Sequence, residues 1–109
     1  MQAPDFTVYQ GSDMTSPVEY SVLKAGVLNF TRYLASYLGS DGIRVNSVSP
    51  GGVFDEQPER FVEKYEQNVP LGRMADPEDL SGAVVYLLSD TASYVTGHNL
   101  VVDGGWTIK

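Results

Sequence analysis

The sequence reads as an α/β chain whose two short strands belong to a parallel sheet larger than they can build alone. Three observations predict this. A long helical pattern over residues 18 to 39 is followed by a strand-like "RVNSVS", two further helical patterns and a second strand over 98 to 102. That alternation is the α/β order. Both strands break abruptly at glycine pairs, "SPGG" and "VDGG". A parallel sheet is buried on both faces, and two strands are too few to stand by themselves.

The bulk numbers bound the rest. A length of 109 residues suits one small domain. A hydrophobic content of 42% is ordinary for a chain with a packed core. The formal charge of −7 argues against a nucleic-acid partner, which needs a surplus of Lys and Arg. It does not argue against a bound nucleotide, whose phosphates can be held by backbone N–H groups and one or two cations. No cysteine is present, which removes disulfides, zinc-thiolate sites and thiol chemistry. No apolar run is long enough for a membrane span. "MQAPDF" lacks the basic-then-apolar layout of a secretory signal, so a soluble cytoplasmic protein without membrane partners is expected.

Each element has its own justification. Residues 1 to 17, with two prolines, a glycine and several small polar residues, read as a surface loop. Pro17 suits a helix start and Gly39 its end. Between them Val22, Leu23, Val27, Phe30, Tyr33, Leu34, Tyr37 and Leu38 share one very broad sector, opposite Ser21, Asn29, Arg32 and Ser36. So wide a face is expected to pack on a sheet with one side and on a second subunit or segment with the other. "GIRVNSVSPGG" reads as turn, strand and break. Arg44 and Asn46 alternate on that strand, Asn46 serving nearby backbone groups.

A polar helix over 55 to 67, broken near Pro58, carries Phe61, Val62 and Tyr65 at helical spacing, and its acidic cluster reads as a solvated face. Arg73 is expected to pair with a local acid. In the next helix Asp76 is expected at the N-cap, Pro77 in the first turn, and Glu78 and Asp79 at the positive end of the dipole. Leu80, Ala83, Val84, Leu87 and Leu88 supply its buried stripe. His98 to Val102 is the last strand, with His98 structural. Trp106 is a packing residue near a subunit interface.

The chemistry concentrates in "EYSVLK". Tyr20 and Lys24 lie four residues apart on a helix, hence on one face. A phenol ordinarily loses its proton near about pH 10, and a nearby ammonium favours the phenolate. Such a tyrosine can exchange a proton with a substrate oxygen, and the lysine can donate to cofactor hydroxyls. The spacing alone is common in helices and equally describes two surface side chains.

The wider pattern is more specific. Tyr-x-x-x-Lys followed by Ala25-Gly26, "TRYLA", "GIRVNSVSPGG" and "SYVTGHNLVVDGG" resembles the second half of the short-chain dehydrogenase/reductase family, over residues 17 to 106. The resemblance implies a doubly wound, Rossmann-like parallel sheet with helices on both faces. It implies hydride transfer between NAD or NADP and an alcohol or ketone, with Tyr20 as acid/base. Lys24 would hold the nicotinamide ribose and favour the tyrosinate. Pro50, Gly51 and Gly52, at the carboxyl end of a strand where such sheets bind ligands, would lie against the nicotinamide. The Val53 backbone would meet its carboxamide. In the family the segment around 55 to 66 helps to cover the substrate, which would turn Phe61 or Tyr65 toward it. A homo-oligomer, dimer or tetramer, is implied as well.

The pattern also departs from the family. Asp55 stands where many members place a threonine, so no cofactor contact is carried onto it. The family's glycine-rich phosphate loop and mid-chain asparagine are not among these residues. Residues 1–109 are therefore expected to be the C-terminal portion of a nucleotide-binding domain. The catalytic serine is expected upstream of Met1, with Thr7, Ser12 and Ser16 as weak stand-ins. Two other functions fit the same residues: a catalytically silent association module built on the wide apolar helix, and a sugar-nucleotide epimerase or dehydratase. The stretch before Tyr20 weakly resembles members acting on sugar-like substrates.

Overall fold

Two parallel strands and three helices follow one another along the chain, and the computed structural model describes residues 3–108. Helix α1 spans Val18–Leu38, strand β1 Ser47–Pro50, helix α2 Glu59–Asn68, helix α3 Glu78–Leu88 and strand β2 Asn99–Val102. β1 pairs with β2 in parallel, with Ser47 opposite Asn99 and Pro50 opposite Val102. The expected α/β order and parallel pairing both hold. Helices α2 and α3 form the crossover that a parallel pair requires.

α1 begins directly after Pro17, which stands at the N-cap position in extended conformation (ψ 148°), where its missing N–H costs nothing. The helix ends at Leu38, passes through a short 3-10 turn at Gly39–Asp41, and reverses at Gly42 with φ 74°. The left-handed turn thus falls three residues after Gly39. Asn46 behaves as expected. Its Nδ2 donates to the Val95 carbonyl at 2.9 Å and its Oδ1 accepts the His98 N–H at 3.0 Å. Neither Arg44 nor Asn46 lies on the strand, however, because β1 begins only at Ser47; Arg44 donates to the carbonyls of Val95 and Ser89, tying the approach to β1 to the segment between α3 and β2.

Several expectations are corrected. The first two residues of the expected N-terminal loop lie outside the described residues. The rest is no loose loop: Phe6–Tyr9 form a 3-10 turn capped by the Asp5 side chain, and Val8 is buried. The break before α2 comes at Pro58 itself, so residues 55 to 58 are irregular. At the start of α3 the N-cap position is Pro77, without a side-chain cap. The reciprocal bond forms instead, with Asp79 Oδ2 accepting the Asp76 N–H at 2.8 Å. β2 starts at Asn99, one residue after His98.

The larger correction concerns the apolar stripes. Of α3's stripe only Leu87 is buried, and Leu88 is 79% exposed. On α1 only Thr31 and Ala35 are buried, while Val22, Leu23, Val27, Phe30, Tyr33 and Tyr37 face solvent. The pattern marks which side needs covering; among the described residues most of it is left uncovered. The hydrophobic core lies elsewhere, in Val8, Phe61, Tyr65, Val69 and Met74, with Tyr9, Met14, Val62 and Trp106 around them. Phe61 and Tyr65 both belong to this core, and of the two it is Tyr65 that also borders the space beside the turn after β1. Burying side chains of this size contributes roughly 2 kcal/mol each.

Candidate active site

Tyr20 and Lys24 meet as their spacing requires. The Lys24 ammonium sits over the Tyr20 ring, 5.5 Å from its centroid. Both side chains are open to solvent, Tyr20 at 56% exposure. The half of α1 that carries them is exposed almost all round: from Val18 to Val27 only Ser21 is half-buried. The pair is thus a phenol and an ammonium presented on a protruding helix. It can donate to and accept from oxygen atoms of a molecule laid across that face.

The second predicted feature is the turn at Pro50–Val53. It leaves the carboxyl end of β1 beside the exit of β2, where the Gly51 N–H donates to the Val102 carbonyl at 2.9 Å. Beyond it, Ala75 runs alongside in a parallel bridge: the Ala75 N–H donates to Gly52 O and the Phe54 N–H to Ala75 O. That bridge uses the residues on either side of Val53. The Val53 N–H meets no acceptor among the described residues, while the Val53 carbonyl accepts from Gln57.

Glycine is required here for a reason the sequence did not display. A Cβ on Gly52 would come within 2.6 Å of the Tyr65 ring, and one on Gly51 within 2.8 Å of the Asp103 Cα. The space a side chain would take is filled from inside, by α2 and the end of β2. The Tyr65 hydroxyl accepts the Gly52 N–H. Burial pushes the Tyr65 phenol above its usual range, and the Gly52 N–H only partly offsets this.

A cavity of about 140 Å³ opens beside the turn, lined among others by Gly51, Gly52, Tyr65, Arg73, Asp79 and Asp103. Neither Tyr20 nor Lys24 lines it. The chain therefore presents two pieces, the pair on α1 and the turn after β1, that share no cavity within these residues. Arg73 finds its acid in Asp79, in a bidentate pair at 2.6 and 3.0 Å. The hydrogen bonds of that arginine hold the Asp79 carboxyl down at about 2. Burial pushes the Asp103 carboxyl up, but its bonds from Thr107 and Gly105 outweigh this and leave it below the usual range.

The weak stand-ins for a serine are engaged locally. The Thr7 hydroxyl donates to Asp5 and the Ser12 hydroxyl to the Tyr9 carbonyl. Sequence reasoning left Tyr65 without a structural partner. The available signal was the pair of glycines: two adjacent positions without Cβ call for something bulky packed against them.

Comparison with known proteins decides the family. Residues 7–107 match the family described as enoyl-(acyl carrier protein) reductase. A short-chain dehydrogenase from Leptospira borgpetersenii, solved with bound NAD+, superposes with a TM-score of 0.84 at 48% identity, covering 92% of this chain and 41% of that one. The chain belongs to the short-chain dehydrogenase/reductase family. Its relatives in that family are varied. Post-translational flagellin modification protein A of Campylobacter coli is 45% identical over 104 residues, 95% of this chain and 41% of that protein. The NADP-dependent mannitol dehydrogenase of Hypocrea jecorina is 44% identical over 94 residues, 83% of this chain and 35% of that enzyme. The chain thus spans about two-fifths of the length of the flagellin modification protein and of the Leptospira dehydrogenase. The α/β fold read from the sequence is the fold it shares with these dehydrogenases. Among the described residues no helix is long and apolar enough to cross a membrane.

Proposed function

We propose that this chain is the C-terminal portion of an NAD- or NADP-dependent oxidoreductase domain acting on an alcohol or ketone, with Tyr20 as its acid/base. The observation that carries the reading is the exposed phenol and ammonium side by side on α1 of a chain in this family. A bound nicotinamide cofactor supplies the hydride donor or acceptor. The residues present suit it: the Val53 N–H is an unpaired backbone donor at the carboxyl end of β1, suited to a carboxamide oxygen, and Lys24 is suited to ribose hydroxyls.

In the reducing direction Tyr20 gives its phenolic proton to the ketone oxygen as that oxygen gains charge. In the oxidising direction the tyrosinate takes the proton from the alcohol. Lys24 stabilises the tyrosinate in both directions. Pro50, Gly51 and Gly52 hold the backbone that carries Val53. A sugar-like alcohol is the substrate class we favour, a choice supported by the mannitol dehydrogenase among the relatives. Cytoplasmic location and homo-oligomer formation, as dimer or tetramer, belong to the same proposal.

The test is a fluorescence titration with NADH and NADPH, followed by turnover of a polyol panel. The glycine-rich phosphate loop is not among these residues, so saturable binding and polyol-dependent reduction of the cofactor are expected when the rest of the domain is present, and poor binding by residues 1–109 alone. Tyr20→Phe should retain binding and lose about 10²–10⁴-fold in turnover. A second reading, an association module without turnover, is favoured by the exposed apolar face of α1. Under that reading Tyr20→Phe changes nothing measurable and wild-type turnover is absent.

A further inference from the structure

We infer that Tyr65 is a positioning residue for the Pro50–Val53 turn, and that Trp106 holds it in place, so that the end of the chain sets the shape of the cofactor side of the site. The inference deepens the proposed function and rests on it for the turn's role.

The chain of contacts is continuous. Tyr65 is 8% exposed on α2 and its ring fills the space beside Gly52 that a Cβ would occupy. Its hydroxyl accepts the Gly52 N–H, the donor next along the backbone from Val53. On its other side the ring stacks on Trp106, centroids 4.5 Å apart and planes within 9°. Trp106 is itself fixed. Its N–H donates to the Asp103 carbonyl, and the Asp103 carboxylate accepts the N–H groups of Gly105 and Thr107 and the Thr107 hydroxyl. A shift of Trp106 therefore frees the Tyr65 ring, and a shift of that ring frees Gly52.

Tyr65 is not suited to proton transfer. It is buried against apolar neighbours, and burial pushes its phenol further above its usual range, away from neutral pH. Its contribution is geometric. It holds one backbone N–H in place, and with it the direction of the unpaired Val53 N–H one residue on.

The test uses Tyr65→Phe, which keeps the ring and its stacking and removes only the hydroxyl. Amide hydrogen exchange at Gly52 should quicken by about five- to tenfold, the effect of one lost hydrogen bond. The exchange of α3 amides should not change. NADH affinity should weaken by about fivefold, with kcat within about twofold, the opposite split from Tyr20→Phe. Trp106→Leu should reproduce both effects, and Trp106→Phe should restore most of them. Unchanged exchange at Gly52 in Tyr65→Phe would overturn the inference. So would quickened exchange with undiminished NADH binding, because the turn would then not depend on Tyr65 for its task. If the wild-type chain, with the rest of the domain present, binds neither NADH nor NADPH, the cofactor reading is what fails, and the exchange rates still decide whether Tyr65 holds the turn.

Discussion

The two ends of this molecule are built differently. Around α2, five buried side chains from three segments close on one another, and the N-terminal turn is fastened to the helix by the Lys64 ammonium, which donates to the carbonyls of Thr7 and Gln10 at 3.2 and 3.0 Å. Around the first half of α1 almost nothing is closed. The α2 region is fixed by its own contacts. The α1 region is ordered as a helix, yet its apolar side chains await a covering surface. The chemically interesting pair therefore sits on the less supported part, and the turn expected to face the cofactor sits on the better supported one. Rigidity and reactivity are separated within this stretch of chain.

Substitutions test that contrast directly. Phe61→Ala removes the ring that touches Tyr9 and Tyr65 and should cost about 3 kcal/mol or more in urea unfolding. Leu23→Ala on α1, where the side chain is 69% exposed, should stay within about 0.5 kcal/mol in the same measurement. Equal costs at the two sites would abolish the distinction. Gly52→Ala should fall between them, at about 1–3 kcal/mol, because the new methyl meets the Tyr65 ring at 2.6 Å. Introduced into a Tyr65→Ala background, Gly52→Ala should cost less than it does in wild type, and an equal cost would mean that the clash is not with that ring.

The smallest effect belongs to the exposed Arg73–Asp79 pair. The Asp79 carboxyl is held down at about 2 in the folded chain, below its ordinary 3.8. A depressed carboxyl stabilises the fold above its unfolded value and loses that contribution as pH falls through the folded one. The difference between wild type and Asp79→Asn should be slight and constant at neutral pH. It should shrink between about pH 4 and pH 2, and a difference that persists below pH 2 would assign it to something other than this pair.

How much of this was legible beforehand depended on the range of the interaction. Local rules sufficed where the partners are near in sequence. Pro17 and the periodicity marked α1, Arg73 found its acid six residues on, and Tyr20 and Lys24 met across one helical turn. Rules of pattern failed where the partner is far away or outside the chain. Nothing local to Val8 announces that α2 will cover it, and nothing local to Leu88 announces that no neighbour will. An amphipathic stripe records a need for burial and is silent about supply. For the site, residue types and spacing identified the pair and the turn separately. They did not show that the cavity beside the turn excludes the pair, nor that Tyr65 would be the reason for two glycines.

The register of the two strands has a consequence for how the chain comes to be folded. Ser47 meets Asn99 across 52 intervening steps of sequence, and the helices between them must be made before the strands can join. During synthesis β1 therefore emerges long before its neighbour and waits for it. Long-range parallel pairing is slow and leaves such intermediates open to association. The interval between the appearance of β1 and of β2 leaves the unpaired edge of β1 open to association.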